Sequence, residues 1–167
     1  GTQNTLIGGL SGDAITTASN NTAVGFNTLS ANTTGENNVA LGQYALNANT
    51  TAANNTAIGH FSLSANTTGT YNTSVGSLAL QNTTTGISNT AVGGQALQGN
   101  TTGTYNTAMG VNALDKNTTA QSNTGIGAGA LATNITGSNN TAVGRDALTA
   151  NTTGTTAVSV GYRSLNA

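Results

Sequence analysis

Hydrophobic and polar positions along this chain repeat with a period of 17 residues from one end to the other. In each repeat after the first, a Thr or Val, a small residue and a large aliphatic residue precede a glycine, as in Thr90-Ala91-Val92-Gly93. A leucine then follows the glycine by four residues in every repeat after the first, and a turn-like Asn-Thr-Thr-Gly string or a close variant of it comes next. A fixed period of this kind is typical of repeat architectures. We therefore expect one small structural unit written ten times.

The glycine of this pattern recurs without insertion or deletion. It occupies Gly8, Gly25, Gly42, Gly59, Gly76, Gly93, Gly110, Gly127, Gly144 and Gly161.

The residues before the glycine predict a short strand. Side chains alternate across a strand, so the Thr or Val and the large aliphatic residue share one face. Because the first position accepts Thr or Val, as at Val39, we expect this face to point inward. The aliphatic position includes Val24, Val92 and Val143, and the small residue between them would lie against a close neighbour on the opposite face.

The leucine is the second apolar anchor, for example at Leu46, Leu97 and Leu148. Together with the Gly- and Asn-containing turns that follow, it predicts two short strands and two turns per repeat. The repeat is too short for a helix pair, and there are no heptads for a coiled coil. The pattern favours an all-β fold, a parallel β-solenoid (β-roll) of ten 17-residue coils, in which residue i stacks on residue i+17 about 4.8 Å away. Val92 should then lie directly beneath Met109.

The same register makes predictions about polar side chains. Asp146 should neighbour Arg163, and Arg145 should neighbour Tyr162, because each pair is separated by one period. An asparagine also precedes the Thr-Ala-Val step, as at Asn38, Asn72 and Asn106. Stacked amides would form a hydrogen-bonded ladder along the axis; the alternative is that this asparagine serves only as a turn residue.

Each coil supplies only two large aliphatic side chains, which makes a thin core against the entropy of ordering the coil. A further apolar contact would help. The small-residue column, which runs from Ala23 to Ser159, offers a surface that three copies could bury around a common axis. We therefore expect the chain to associate with itself as a homotrimer.

Composition narrows the possible partners. Only seven of the 167 residues are charged and the net charge is -1, so the chain has no basic surface for nucleic acid. It has no apolar run long enough to span a membrane, and it lacks cysteine and therefore disulfides. We expect residues 1–167 to form a single repeat domain of ten repeats that belongs to a longer chain.

The sequence contains no recognisable chemical site. The single histidine, His60, has no cysteine or acid near it in the sequence, and the four acidic residues do not form a recurring ligand set. We expect no catalytic, cofactor-binding or metal site, and hence no cofactor and no enzymatic activity.

Two strings in the repeat resemble known fibrous proteins. Asn38-Val39-Ala40-Leu41-Gly42 resembles the head repeat of trimeric autotransporter adhesins. The longer string that begins at Asn140-Thr141-Ala142-Val143-Gly144 and ends in Asn151-Thr152-Thr153-Gly154 is similar to repeats in bacteriophage tail-fibre shafts. This resemblance implies an elongated homotrimeric fibre that is part of a virion or lies outside the cell or on its surface.

Four functions follow as expectations. The first is a structural shaft that carries a receptor-binding tip of a phage tail fibre used in host attachment. The second is an adhesin head that binds a host-surface receptor through the variable positions after the glycine, namely Phe26, Tyr44, His60, Phe61, Arg145 and Tyr162. The third is a self-assembling extracellular filament. The fourth is an ice-binding solenoid, disfavoured because consecutive threonines such as Thr67-Thr68 would point in opposite directions along a strand.

Overall fold

Ten short parallel strands stack in sequence order into one sheet along the axis of a rod. The computed structural model describes residues 1–166. The strands are β1 (Thr5–Ile7), β2 (Thr22–Val24), β3 (Val39–Leu41), β4 (Thr56–Ile58), β5 (Thr73–Val75), β6 (Thr90–Val92), β7 (Thr107–Met109), β8 (Thr124–Ile126), β9 (Thr141–Val143) and β10 (Val158–Val160).

Every strand pairs with the next at a register of one repeat, and Val92 lies beside Met109 as predicted. The parallel β-solenoid is therefore confirmed. The described chain contains no helix.

Each coil contains one strand, so the prediction of two strands per repeat is wrong. The segment around the leucine forms turns, because the backbone of the leucine itself is left-handed, with φ between 49° and 54° in all nine copies. A strand cannot pass through that conformation. Backbone hydrogen bonds still join the coils there. Leu97 N donates to Ala113 O at 3.0 Å, and the equivalent bonds from the other leucines are 2.9–3.1 Å long.

The inward face of the strand is also the reverse of the one predicted. Ala91, in the middle of β6, is fully buried, whereas Thr90 and Val92 are only partly buried. Leucines from the opposite wall fill the interior and leave room for only a small side chain. At Gly125, for example, an added Cβ would lie 3.3 Å from Cγ of Leu114 in the preceding coil.

The first coil shows the same space constraint with the residues exchanged. Gly12 occupies the leucine position and Leu6 occupies the small position. A Cβ at Gly12 would lie 2.8 Å from Cδ2 of Leu6, so the leucine side chain fills the volume beside the glycine. Interior volume is thus preserved although both residue types differ from the other coils.

The glycine that follows each strand is required by two features of the backbone. At Gly93 φ is +129°, a conformation that other residues rarely adopt. An added Cβ would also point along the rod axis, 2.7 Å from the carbonyl carbon and oxygen of Gly110 in the next coil. The same arrangement recurs from Gly8 to Gly144, which explains why these coils keep the glycine.

Two ladders of buried asparagine form the polar half of the interior. In the first, Asn106 Nδ2 donates to Asn89 Oδ1 at 3.2 Å and to Ala120 O at 2.8 Å, while Asn106 Oδ1 accepts from Asn123 N at 3.0 Å. Asn38 and Asn72 occupy the same ladder and are likewise buried. The amides therefore do more than shape a turn, since each one bonds to the coils on both sides of it.

The second ladder comes from the Asn-Thr-Thr-Gly turn. Asn49 Nδ2 donates to Asn32 Oδ1 at 3.0 Å and to Ala52 O at 3.0 Å. Within residues 1–166 no buried side-chain nitrogen or oxygen lacks a hydrogen-bond partner. Burial of so many amides is tolerated because each of them is bonded.

Candidate functional site

The leucines and asparagines identified from the sequence as structural residues lie inside the rod and are not available to a ligand. Leu46 and Leu97 are fully buried and Leu148 nearly so, and they pack with the small-residue column in one continuous core. The column from Ala23 to Ser159 is therefore already covered within a single chain. It cannot be the surface through which three copies meet, contrary to the prediction.

The outer face of the sheet instead carries a continuous apolar stripe. We call this the aliphatic stripe. It consists of Ile7, Val24, Leu41, Ile58, Val75, Val92, Met109, Ile126, Val143 and Val160.

The aliphatic stripe is partly open to solvent in every coil. Met109 is 44% exposed and Ile126 is 38% exposed. The strand register aligns the ten side chains parallel to the rod axis, with one threonine or valine column beside them. Ten successive apolar side chains without an interrupting polar one are unusual on the surface of a chain this polar. The prediction that these side chains, among them Val24, Val92 and Val143, face the core is therefore wrong.

A second distinctive surface lies at the corner just after the glycine, and we call it the aromatic corner. The rings of Tyr44 and Phe61 are stacked with their centroids 4.7 Å apart, and Phe26 meets Tyr44 edge-on at 5.8 Å. His60 packs edge-on against Phe61 at 4.5 Å. Phe26 is 47% exposed. The register thus brings together four of the variable residues singled out in the sequence.

The two others lie in a charged group near the far end of the rod. Asp146 Oδ2 lies 3.4 Å from Arg145 Nε and 3.8 Å from Arg163 Nε. The guanidinium carbon of Arg145 is 6.0 Å from the centre of the Tyr162 ring, and that of Arg163 is 5.2 Å away. Both predicted neighbour pairs are confirmed. Exposed pairs of this kind contribute little stability.

Within residues 1–166 no three His, Cys, Asp or Glu side chains are grouped so as to hold a metal ion. The same part of the chain has no helix with the length and apolar character needed to cross a membrane. What the rod offers is therefore a set of long, regular outer faces. Comparison of the chain with protein-family models, with curated proteins and with solved structures finds no match.

Proposed function

We propose that this chain is a structural shaft segment of an elongated homotrimeric fibre, in which three copies meet through the aliphatic stripe. The observation that carries the proposal is the stripe itself, which extends over all ten coils without a polar side chain. Its straight course along the axis suits parallel copies in register, and one stripe per chain suits a closed symmetric assembly.

The energetics favour burial of the stripe. Covering the exposed part of one valine or isoleucine contributes about 1 kcal/mol, so ten coils contribute on the order of 10 kcal/mol per chain. This gain scales with length, because each added coil brings one more stripe residue. Association therefore remedies the thin core that one coil can build alone.

The chemistry of the stripe also fits a contact between proteins. Its members are Val, Leu, Ile and Met, which share apolar character but differ in shape. Packing against a protein surface accommodates such variation, since neighbouring side chains adjust together.

The repeat's resemblance to phage shafts supports placing the fibre in a virion, as part of a tail fibre used in host attachment. A bacterial adhesin head or a self-assembling extracellular filament is the alternative, because adhesin heads have a similar repeat. In each case the shaft is a spacer that holds other parts of the fibre at a fixed distance.

The test is the mass of the assembly in solution, measured by light scattering or analytical ultracentrifugation. We expect the native chain to have three times the 16.3 kDa mass of one copy. Replacing Val75 and Met109 by glutamate should convert it to folded monomer, because each carboxylate would otherwise be buried in the contact.

A matched control places the same two charges, at the same separation, at Thr70 and Thr104. That column already carries a carboxylate at Glu36, so the fold accepts one there. This variant should remain trimeric. A native chain that is a stable monomer at high concentration would refute the proposed contact.

The aromatic corner supports a second candidate function, recognition of a host-surface receptor by the rod itself. The backbone of Tyr44 and Phe61 is left-handed, at φ of 61° and 53°, so large rings are kept at positions that would suit Gly or Asn better. Replacing Phe26 and Phe61 by serine should then abolish adsorption of the labelled fibre to host cells while the mass of the assembly stays unchanged. Unaltered adsorption would leave the rod as a shaft only.

A further inference from the structure

One exposed column of the rod keeps the same residue in every coil, and we call it the threonine ridge. It consists of the threonine two residues after the asparagine position of the Asn-Thr-Thr-Gly string and its variants. Its members are Thr17, Thr34, Thr51, Thr68, Thr85, Thr102, Thr119, Thr136 and Thr153, and all nine are exposed.

Uniformity of this column contrasts with the other exposed columns. The position after the glycine, for example, is occupied in turn by Phe26, Gln43, His60 and Ser77. Threonine is also not the residue that a turn favours, because glycine, asparagine, aspartate and serine fit turn backbones better. The local conformation therefore does not explain why threonine is kept nine times.

Contacts within the chain do not explain it either. The neighbouring threonine, one residue earlier, uses its hydroxyl internally: Thr101 Oγ1 donates to Thr118 O at 3.1 Å, and Thr67 Oγ1 donates to Thr84 O at 3.1 Å. Within residues 1–166 the hydroxyls of the threonine ridge form no such bond and face solvent. These hydroxyls are therefore available to water or to a ligand outside the chain.

The backbone beneath the ridge is held firmly in place. The carbonyl of Thr118 accepts hydrogen bonds from the backbone N–H of Thr101 at 2.8 Å and of Thr102 at 3.4 Å, besides the one from the Thr101 hydroxyl. The same three-fold acceptance recurs at Thr50 and Thr84. Successive ridge residues are therefore fixed at the inter-coil spacing of about 4.8 Å, and the restricted χ1 of threonine limits the directions in which each methyl and hydroxyl points.

A rigid row of equally spaced methyl and hydroxyl groups is suited to one kind of ligand, an ordered layer of water. The spacing is close to the repeat of hexagonal ice along its a axis. The ridge and the column beside it contain no charged residue, so no ion disturbs a water layer there. Because the groups are already ordered, many weak contacts add along a row of about 40 Å without a further entropy cost.

We propose that the threonine ridge binds ice. The objection that consecutive threonines point in opposite directions does not hold, because the two threonines lie in a turn and only the second is free. The aliphatic stripe is the poorer candidate for this role. Its side chains differ in length, and the threonine column beside it is interrupted by Val39 and Val158, so neither presents a uniform row.

The experiment measures thermal hysteresis in a nanolitre osmometer and incorporation of the labelled chain into a slowly growing ice hemisphere. The native chain should show hysteresis and should be retained in the ice. Replacing Thr85, Thr102 and Thr119 by lysine should reduce both signals to those of a protein that does not bind ice, because three long cations interrupt the middle of the row.

The matched control carries three lysines on the far side of the coil, at Ser77, Val111 and Ala128. These side chains are exposed, and the same column carries Arg145, so a cation fits there. The control should keep native hysteresis and retention. Circular dichroism and assembly mass are measured on all three samples, which separates ice binding from the proposed trimer.

Three results would overturn the proposal. They are a native chain without hysteresis or retention, a ridge variant as active as the control, and a ridge variant whose assembly mass differs from that of the native chain. The last result would assign the ridge to contacts between copies.

Discussion

Replacing Gly93 by alanine tests the central physical reason for the repeat, which is that coils stack closely enough to exclude a Cβ at this position. The substitution adds one methyl group to a backbone at φ of +129° and aims it at the next coil, 2.7 Å from two atoms of Gly110. Nothing flexible lies in its path, since the atoms it meets belong to the backbone. The coils must therefore separate, or the strand end must rotate.

The expected cost follows from two contributions. Backbone strain contributes about 1–3 kcal/mol. Overpacking against rigid atoms contributes about 1–3 kcal/mol more, and it stretches the hydrogen bond from Gly110 N to Val92 O, which is 2.8 Å in the native stack. We expect the free energy of unfolding to fall by about 2–6 kcal/mol, a large share of the stability of an ordinary domain.

Alanine substitutions at two other glycines separate the backbone strain from the overpacking. Gly94 is the very next residue, yet its Cβ would meet nothing closer than Ser77 O at 3.9 Å and its φ is not positive, so alanine there should change stability by less than about 0.5 kcal/mol. Gly161 has φ of +124° but its Cβ would meet only Ser164 Cβ at 3.8 Å. Alanine at Gly161 should therefore cost the strain alone, about 1–3 kcal/mol.

The assay is urea unfolding followed by far-ultraviolet circular dichroism, at one fixed protein concentration because self-association would shift the midpoint. Since each coil contacts only its neighbours, the Gly93 variant should also unfold less cooperatively, as two half-stacks. If alanine at Gly93 is no more damaging than alanine at Gly161, the coils do not exclude a Cβ and the reasoning is refuted.

Three further substitutions probe the interior and the turn by the same unfolding measurement. Leu97→Ala should cost about 2–5 kcal/mol because it leaves a cavity in the core, whereas Leu78→Ala, on a half-exposed side chain, should cost less than about 1 kcal/mol. Asn106→Leu should cost about 1–3 kcal/mol because it keeps the shape but leaves the buried N–H of Asn123 without its acceptor and removes one of the two donors to Ala120 O; a neutral outcome would show that the amide ladder adds no stability. Thr101→Val should cost about 1 kcal/mol through its lost hydrogen bond, and Thr102→Val should cost almost nothing, so equal effects at the two threonines would contradict their separate roles.

The sequence was sufficient to predict how coils stack but not which side of the strand faces inward. An unbroken period fixes the register, because any other alignment would place unlike residues over one another, and the pairing of Val92 with Met109 follows directly. Alternation along a strand says only that Thr90 and Val92 share a face. Both faces carry apolar residues, so the side chains of the opposite wall determine which face of the strand points inward. The sequence of a single repeat does not show which residues form that wall.

The turn at the leucine could not be predicted from the sequence, for a different reason. Leucine has no preference for positive φ, and a conserved apolar residue ordinarily indicates a strand or a helix face. Here the free energy gained by burying the Leu97 side chain in the core outweighs the strain of its left-handed backbone. The sequence does not distinguish Thr101 from Thr102, because both are threonines in the same string. Their hydrogen bonds distinguish them, since Thr101 Oγ1 donates to Thr118 O and Thr102 Oγ1 has no such bond.

The unbroken register of the coils has a consequence for how such a rod changes over generations. Because every junction between coils is built from similar contacts, recombination between two stretches of the gene that encode similar repeats can delete or duplicate a whole coil and leave the register of each remaining junction intact. Length would then vary in increments of about 4.8 Å, whereas a single inserted residue would displace the glycine after a strand from the site that only glycine fits. Mutation can therefore lengthen or shorten the rod by one whole coil, but not by part of a coil.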